Sequence, residues 1–295
     1  MLDFDFYSPE EEIVLPFYEE HGVRVFVKRD DLIHPYISGN KWRKLKYPLQ
    51  QALEEKKKLL VTFGGAWSNH LLATACAGAK FGFRTFGFVR GDVSDNPVLQ
   101  LCQLFGMELR FVEREHYRDK KALFDTHFAK SQEAFFIDEG GYGELAARGC
   151  AEMTHELSRH YDHCFCACGT GTTLAGITQG INSHQWTTEI HGIPVLKGGS
   201  FILDEVTKLG VTNTDRIHLH LDYHFGGYAK TKPPLIDFVK SFTRQTSILI
   251  EPTYTGKLFY AVHDLIAQQQ IARGSTVLVV HSGGLTGLLG MLDRF

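Results

Sequence analysis

Cys164-Phe165-Cys166-Ala167-Cys168-Gly169-Thr170-Gly171-Thr172-Thr173 reads as a short strand running directly into a glycine-rich turn, with a helix continuing from Leu174. The first five residues are continuously apolar, as a strand covered on both faces is. The turn residues are small, so backbone N–H groups can approach an anion closely. The threonine hydroxyls add donors at a helix N-terminus, where the helix dipole favours negative charge. The same pattern occurs at 59–63, which leads into Gly64-Gly65-Ala66-Trp67-Ser68-Asn69-His70 and an alanine-rich helix, and at 276–280, which leads into His281-Ser282-Gly283-Gly284. Ser68 is a good N-cap, and the Asn69 amide both donates and accepts. One such loop is often only a tight turn; several in one chain make a stronger case for ligand binding. Further strands are expected at 85–89, 108–112, 134–137, 190–196, 217–221 and 247–250, with helices at 96–106, 143–160, 234–242 and 255–272. The alternation argues for an α/β fold with parallel-rich open sheets and helices on both faces. The polar stretch 92–95, just before Pro97, reads as a surface loop.

Ser38-Gly39-Asn40-Lys41-Trp42-Arg43-Lys44 adds a reactive group. Gly39 and Asn40 are turn formers, and helix-forming residues follow over 42–58, so Lys41 falls at or near a helix start. A lysine amine beside an anion site suits a carbonyl cofactor that carries a phosphate. Such a lysine must spend time unprotonated, which desolvation or neighbouring cations would bring about; Lys44 and Arg43 could supply that charge. Taken alone, the run Lys41, Arg43, Lys44 and Lys46 reads first as a solvated basic face, since charge runs are usually surface.

The chain has 295 residues, 43% hydrophobic content and a formal net charge of −3. That suits one large or two modest globular domains, and the near-neutral balance suggests neither nucleic acid nor a membrane surface as partner. No apolar run approaches the ~20 residues that span a bilayer. The start Met1-Leu2-Asp3-Phe4-Asp5 is acidic and unlike a signal peptide, so a cytoplasmic location is expected. Cys164, Cys166 and Cys168, with His155, His160 and His163 nearby, resemble a ligand cluster, but alternate strand residues do not converge on one tetrahedral centre. No metal site is expected; the cysteines read as small buried hydrophobes. A disulfide framework is not expected either.

With these residues in view, the sequence resembles the 1-aminocyclopropane-1-carboxylate (ACC) deaminase and D-cysteine desulfhydrase family of pyridoxal-phosphate enzymes. The anchors are Lys28-Arg29-Asp30-Asp31-Leu32, Gly39-Asn40-Lys41-Trp42-Arg43-Lys44-Leu45, the Gly64 to His70 loop, Gly169-Thr170-Gly171-Thr172-Thr173-Leu174-Ala175-Gly176, Glu251-Pro252-Thr253-Tyr254-Thr255-Gly256-Lys257 and His281-Ser282-Gly283-Gly284. Their joint order and spacing are far more specific than any one of them. The resemblance implies a two-domain fold of the tryptophan synthase β type (fold type II). It divides the chain into a cofactor domain of 1–43 and 160–295 and a smaller inserted domain of 44–159, with the site in the cleft between them. It implies a homodimer and a small amino-acid substrate.

It also implies roles. Lys41 matches the lysine that binds pyridoxal 5'-phosphate covalently. Lys44 matches a residue near the cofactor phosphate, and Gly169, Thr170, Gly171, Thr172 and Thr173 match the phosphate cup. Asn69 matches the amide at the cofactor's 3-hydroxyl, and Ser68 a hydroxyl that meets the substrate. Tyr254 matches an aromatic residue at the cofactor ring, Thr255 the position facing the pyridine nitrogen, and Tyr228 a second active-site tyrosine, with flanks that differ from the family's proline-containing turn. Trp67 stands where glutamine is common; its larger, donor-only indole would narrow the substrate pocket. ACC deaminases of the family carry glutamate where Thr255 stands, whereas desulfhydrase-like members carry serine or threonine. A neutral hydroxyl makes a shallower electron sink, which suits expulsion of a good leaving group better than cyclopropane opening. The expected activity is therefore α,β-elimination of D-cysteine to pyruvate, ammonia and hydrogen sulfide. ACC deamination to 2-oxobutanoate, or non-catalytic binding of the cofactor or an amino acid, are the alternatives. The catalytic base stays open among Lys41, Ser68, Tyr228 and Tyr254.

Overall fold

The computed structural model describes residues 2 and 4–295; Met1 and Asp3, part of the acidic start considered above, lie outside the described residues. Among the described residues, ten strands form two sheets. In chain order these are β1 (Glu10–Ile13), β2 (Arg24–Lys28), β3 (Leu59–Gly65), β4 (Arg84–Arg90), β5 (Met107–Val112), β6 (Ala134–Phe136), β7 (His163–Cys168), β8 (Glu189–Pro194), β9 (Ile217–Leu219) and β10 (Thr276–Val280). The six-stranded sheet has the order β1-β2-β10-β7-β8-β9; β1 runs antiparallel to β2 and every other neighbour pair is parallel. The four-stranded sheet, β5-β4-β3-β6, is parallel throughout. No described helix is long and apolar enough to cross a membrane.

Successive strand residues point to opposite faces, and β7 shows what that does. Phe165 and Ala167 pack on one side with Phe259 and Val262 of the helix Thr255–Ala267. Cys164, Cys166 and Cys168 pack on the other with Leu174 and Ile177 of the helix Thr172–Ser183. All three thiols are thus core residues of a strand sandwiched by helices, and all six cysteines are free and buried. The smaller sheet is covered in the same manner. Leu60 of β3 joins Trp42, Leu45 and Leu49 of the helix Asn40–Glu54, while Val61 and Phe63 face Phe86 and Phe88.

Three expectations need correction. Residues 247–250 are not a strand: they join neither sheet, and Ile248 and Ile250 lie in the core cluster with Leu258 and Val262. Ser247 instead ends the helix Pro233–Thr246 in a left-handed conformation, and the Leu249 carbonyl meets the His281 ring at 2.8 Å. The helix expected over 143–160 is α-helical only over Glu144–Ala151, then tightens into the 3-10 turn Glu152–Glu156. β1 and β2 went unforeseen: the acidic run at Glu10, Glu11 and Glu12 hides β1, an edge strand with little apolar alternation, and β2 has only three apolar residues, Val25, Phe26 and Val27, between two charged ones. The stretch 92–95 is an exposed loop, as expected.

The helix that carries Lys41 is held by a buried ion cluster. The Arg43 guanidinium donates to both oxygens of Asp30 at 2.6 Å and to Glu156 at 2.7 and 2.8 Å, and Lys28 reaches Glu156 at 2.9 Å. Burial opposes the Asp30 charge, but Arg43 outweighs it and holds this carboxyl below its ordinary range. Removing one partner of such a cluster leaves a buried charge unpaired, at about 3–5 kcal/mol. Arg43→Leu should lower unfolding stability by about that amount in urea titration at pH 7. A loss within about 0.5 kcal/mol, typical of neutral surface changes, would remove the cluster from the account of stability.

Candidate active site

Five loops that follow strands converge at the carboxyl ends of the two sheets, where open α/β folds place their ligands. The first runs from β2 to the helix Asn40–Glu54. Gly39 has φ 59° there, and a side chain at this position would place its Cβ 1.9 Å from the Ser282 carbonyl oxygen. Only glycine fits, so the turn before Lys41 lies directly on the loop after β10. The Asn40 N–H and the Ser282 carbonyl are 3.3 Å apart, and the Asn40 amide donates to the Thr173 hydroxyl at 3.0 Å. These contacts set the first helical turn against the start of the helix Thr172–Ser183.

Lys41 and Lys44 then face the same acceptor. The Lys44 ammonium donates to the Gly140 carbonyl at 3.1 Å, and that of Lys41 lies 3.5 Å from the same oxygen. Neither has a carboxylate within salt-bridge distance among the described residues. Burial, then the neighbouring Lys44 charge, push the Lys41 amine well below the ordinary lysine range; burial also lowers Lys44. Arg43, read above as a further source of positive charge, points away into its own carboxylates and takes no part. His70 is fully buried with Nε2 2.8 Å from the Thr62 hydroxyl; burial and the two lysines keep it neutral.

The remaining expected residues surround these lysines. Ser68 caps the helix Asn69–Phe81 by accepting from the Leu71 N–H at 3.2 Å, which leaves its own proton free to donate. The Asn69 amide donates to the Gly284 carbonyl at 3.2 Å and accepts from the Thr286 hydroxyl at 2.7 Å. Tyr254 lies over the 169–173 loop: a Cβ built on Gly169 would sit 3.4 Å from its ring and hydroxyl. Tyr228, about half exposed, packs edge-on against Tyr254 with ring centroids 5.9 Å apart. Burial and the Tyr228 hydroxyl beside it push the Tyr254 phenol well up. Thr255 is fully buried, and its hydroxyl accepts from the Glu251 N–H at 2.8 Å. Trp67 is exposed, with its indole laid against Gly290 of the C-terminal segment.

Sequence reasoning gave three neighbours no role. Gly140 supplies the carbonyl shared by the lysines; Glu139-Gly140-Gly141 after β6 is a further strand-then-glycine turn, and that was the available signal. Glu251 accepts from the backbone N–H groups of Thr253, Tyr254 and Thr255 at 2.6 to 2.8 Å, so it caps the helix Thr255–Ala267; burial, opposed by these bonds, pushes its carboxyl up to about 7. Lys257, fully buried, donates to the Val195 and Gly227 carbonyls at 3.1 and 2.8 Å and so pins the turn before Tyr228. Two surface cavities, one beside His220, Tyr223 and Asp264 and one beside Arg84 and His127, lie apart from this convergence.

Two lysine amines of lowered pKa with no carboxylate in reach among the described residues, and a threonine- and glycine-lined helix N-terminus, form a receptacle for an anionic carbonyl compound. A phosphorylated aldehyde fits: Gly169 leaves beneath Tyr254 the space that a side chain would fill, and the phosphate charge would answer Lys44. The profile of the pyridoxal-phosphate dependent enzyme family matches residues 13–283, and the chain belongs to that family. Its cofactor is pyridoxal phosphate. A provisionally named 1-aminocyclopropane-1-carboxylate deaminase of Thermotoga maritima is 30% identical, over 94% of this chain and 93% of that one. A mitochondrial bifunctional D-cysteine desulfhydrase/1-aminocyclopropane-1-carboxylate deaminase of Arabidopsis thaliana is 26% identical, over 93% of this chain and 75% of that one. The crystal structure of an ACC deaminase homologue superposes with a TM-score of 0.88 at 27% identity, covering 99% of this chain and 93% of its own.

A lysine at its ordinary pKa gains free base tenfold per pH unit up to about pH 10. Cofactor-free protein should instead take up pyridoxal phosphate at a rate that levels off well below that. A rate still climbing tenfold per unit at pH 9–10 would contradict the low pKa of Lys41.

Proposed function

We propose that this enzyme is a lyase performing α,β-elimination on a small amino acid with a leaving group at Cβ, most simply D-cysteine. Thr255 carries this reading. Its hydroxyl oxygen is occupied by the Glu251 N–H at 2.8 Å, and its own proton has only 3.4 Å contacts with Glu251. A hydroxyl in that state donates to a ring nitrogen facing it and supplies no charge to keep that nitrogen protonated. The Glu251 carboxylate is spent on three backbone N–H groups.

Pyridoxal phosphate, when bound, supplies an aldehyde for the substrate amine and a conjugated ring that accepts the electrons of a broken bond at Cα. Lys41 would attach it, Lys44 and the Gly169, Thr170, Gly171, Thr172 and Thr173 turn would hold its phosphate, Asn69 its 3-hydroxyl and Tyr254 its ring. Ser68, with a free O–H at the N-terminus of the helix Asn69–Phe81, holds the substrate carboxylate. Lys41 is the base at Cα, since it is the lysine that would attach the cofactor and its surroundings favour the neutral amine. Tyr254 keeps its proton at neutral pH because burial opposes its ionisation, and with Tyr228 packed against it would offer a neutral hydroxyl beside the substrate. D-cysteine and water give pyruvate, ammonia and hydrogen sulfide. The second reading is ACC deamination, favoured by the name of the Thermotoga maritima relative. For the domain division we keep 1–43 with 160–295 as the cofactor unit and 44–159 as the inserted one.

The purified holoenzyme should release pyruvate from D-cysteine and no 2-oxobutanoate from ACC; the opposite result replaces the first reading with the second. Lys41→Ala should abolish both turnover and the visible absorbance of the covalently held cofactor. Thr255→Glu should slow elimination by about tenfold or more, since it exchanges a neutral donor for a charge worth at least one pKa unit at the ring nitrogen. Unchanged kinetics and spectrum in Thr255→Glu would remove the electronic argument for elimination.

A further inference from the structure

We propose that Thr286 is a positioning residue that sets the orientation of the Asn69 amide toward the cofactor; the proposal rests on the cofactor site described above. The Gly284 carbonyl can only accept a hydrogen bond, so the amide nitrogen of Asn69 must be the group that faces it, at 3.2 Å. That turns the amide oxygen toward Thr286, 2.7 Å away, whose hydroxyl must therefore donate. Both ends of the amide are thus read by one short turn. The second N–H of the amide has no partner among the described residues and is the donor left for the phenolic oxygen of the cofactor. A terminal amide torsion is otherwise broad, and an amide turned over would present its own oxygen to that oxygen.

The turn is firmly placed for this task. Gly284 has φ 80°, and a Cβ on it would come 2.8 Å from the amide nitrogen of Asn69, so the close approach requires glycine. Its N–H donates to the Ser38 hydroxyl at 3.4 Å. Farther along, the Trp67 indole lies within 2.9 Å of where a Cβ on Gly290 would be, and Arg294 donates to the Ala229 carbonyl and the Thr231 hydroxyl at 3.1 and 3.2 Å. The segment after β10 therefore bridges the Asn69 helix and the turn that carries Tyr228, and Thr286 is its contact with the cofactor amide. Thr286 itself touches neither substrate nor cofactor in this scheme.

The test compares wild type, Thr286→Val, Thr286→Ser, Asn69→Ala and the Asn69→Ala/Thr286→Val double variant as holoenzymes. Two quantities are read: the pH midpoint of the visible cofactor absorbance, and the pyridoxal phosphate concentration that half-saturates it. A hydrogen bond to a charged group corresponds to about tenfold in affinity, so Thr286→Val should raise the half-saturating concentration about tenfold and move the midpoint up by about one unit. Thr286→Ser should restore both, because it restores the donor. In the Asn69→Ala background Thr286→Val should change neither, which a purely structural role would not produce. Wild-type values in Thr286→Val, or the same loss added on top of Asn69→Ala, overturn the proposal. If Thr286→Val does not fold by circular dichroism, Thr286→Ala takes its place with the same expected shifts. A wild-type protein that takes up no pyridoxal phosphate overturns the cofactor site itself, and Thr286 with it; normal uptake with an unaltered Thr286→Val overturns the role of Thr286 alone.

Discussion

Two ammonium groups turned toward one carbonyl are the constraint around which this molecule is arranged. Lys41 and Lys44 share the Gly140 oxygen, and no carboxylate among the described residues answers them. Burial disfavours the charged form and lowers the pKa of both amines, and at Lys41 the Lys44 charge adds to it. In a stability device an acid would stand beside them, as Asp30 and Glu156 stand beside Arg43 one residue away on the same helix. The contrast between these neighbours is instructive. Arg43 has its charge matched and fixes the helix; Lys41 and Lys44 have theirs unmatched among the described residues, which is what the proposed cofactor site draws on.

The scaffold pays for that arrangement through rigidity elsewhere. Each segment that reaches the lysines leaves the carboxyl end of a strand: 29–39 after β2, 66–68 after β3, 137–141 after β6, 169–171 after β7 and 281–284 after β10. The two sheets contribute different parts. The smaller one carries Ser68, Asn69 and the Gly140 carbonyl; the larger one carries the glycine–threonine turn and the loop that packs on Gly39. Lys257, buried and bonded to two carbonyls, holds the Tyr228 turn, and Glu251 holds the first turn of the helix that begins at Thr255. Both spend an ionisable group on backbone geometry near the site.

Much of this was legible in the chain. A continuously apolar strand entering Gly169-Thr170-Gly171 carries its meaning locally, because the strand's burial and the turn's small residues are both set by adjacent side chains. The N-cap at Ser68 is equally local. Harder to see were features whose cause lies far along the chain. The stretch 247–250 has strand-forming residues, yet it joins neither sheet: Ile248 and Ile250 are buried among residues of other elements, and the Leu249 carbonyl meets the His281 ring. The helix expected to run through 143–160 tightens after Ala151, where Glu152 meets Lys46 and Tyr47 of another helix and Glu156 meets Arg43 and Lys28. Arg43 looked like a companion to Lys41 because it lies two residues away; helical geometry turns it to a different face.

Sequence by itself determined the α/β class, the strand-then-glycine turns, and the residues able to build a site for a phosphorylated carbonyl cofactor, because periodicity, turn chemistry and motif spacing act over a few neighbouring residues. Only the tertiary structure decided which charges meet. That Lys41 and Lys44 share a carbonyl from Gly140, that Asn69 is read by Gly284 and Thr286, and that Glu251 caps rather than faces the site follow from loops brought together across two sheets. A pKa and a hydrogen-bond direction are properties of such surroundings, and the surroundings here come from residues up to 246 positions apart.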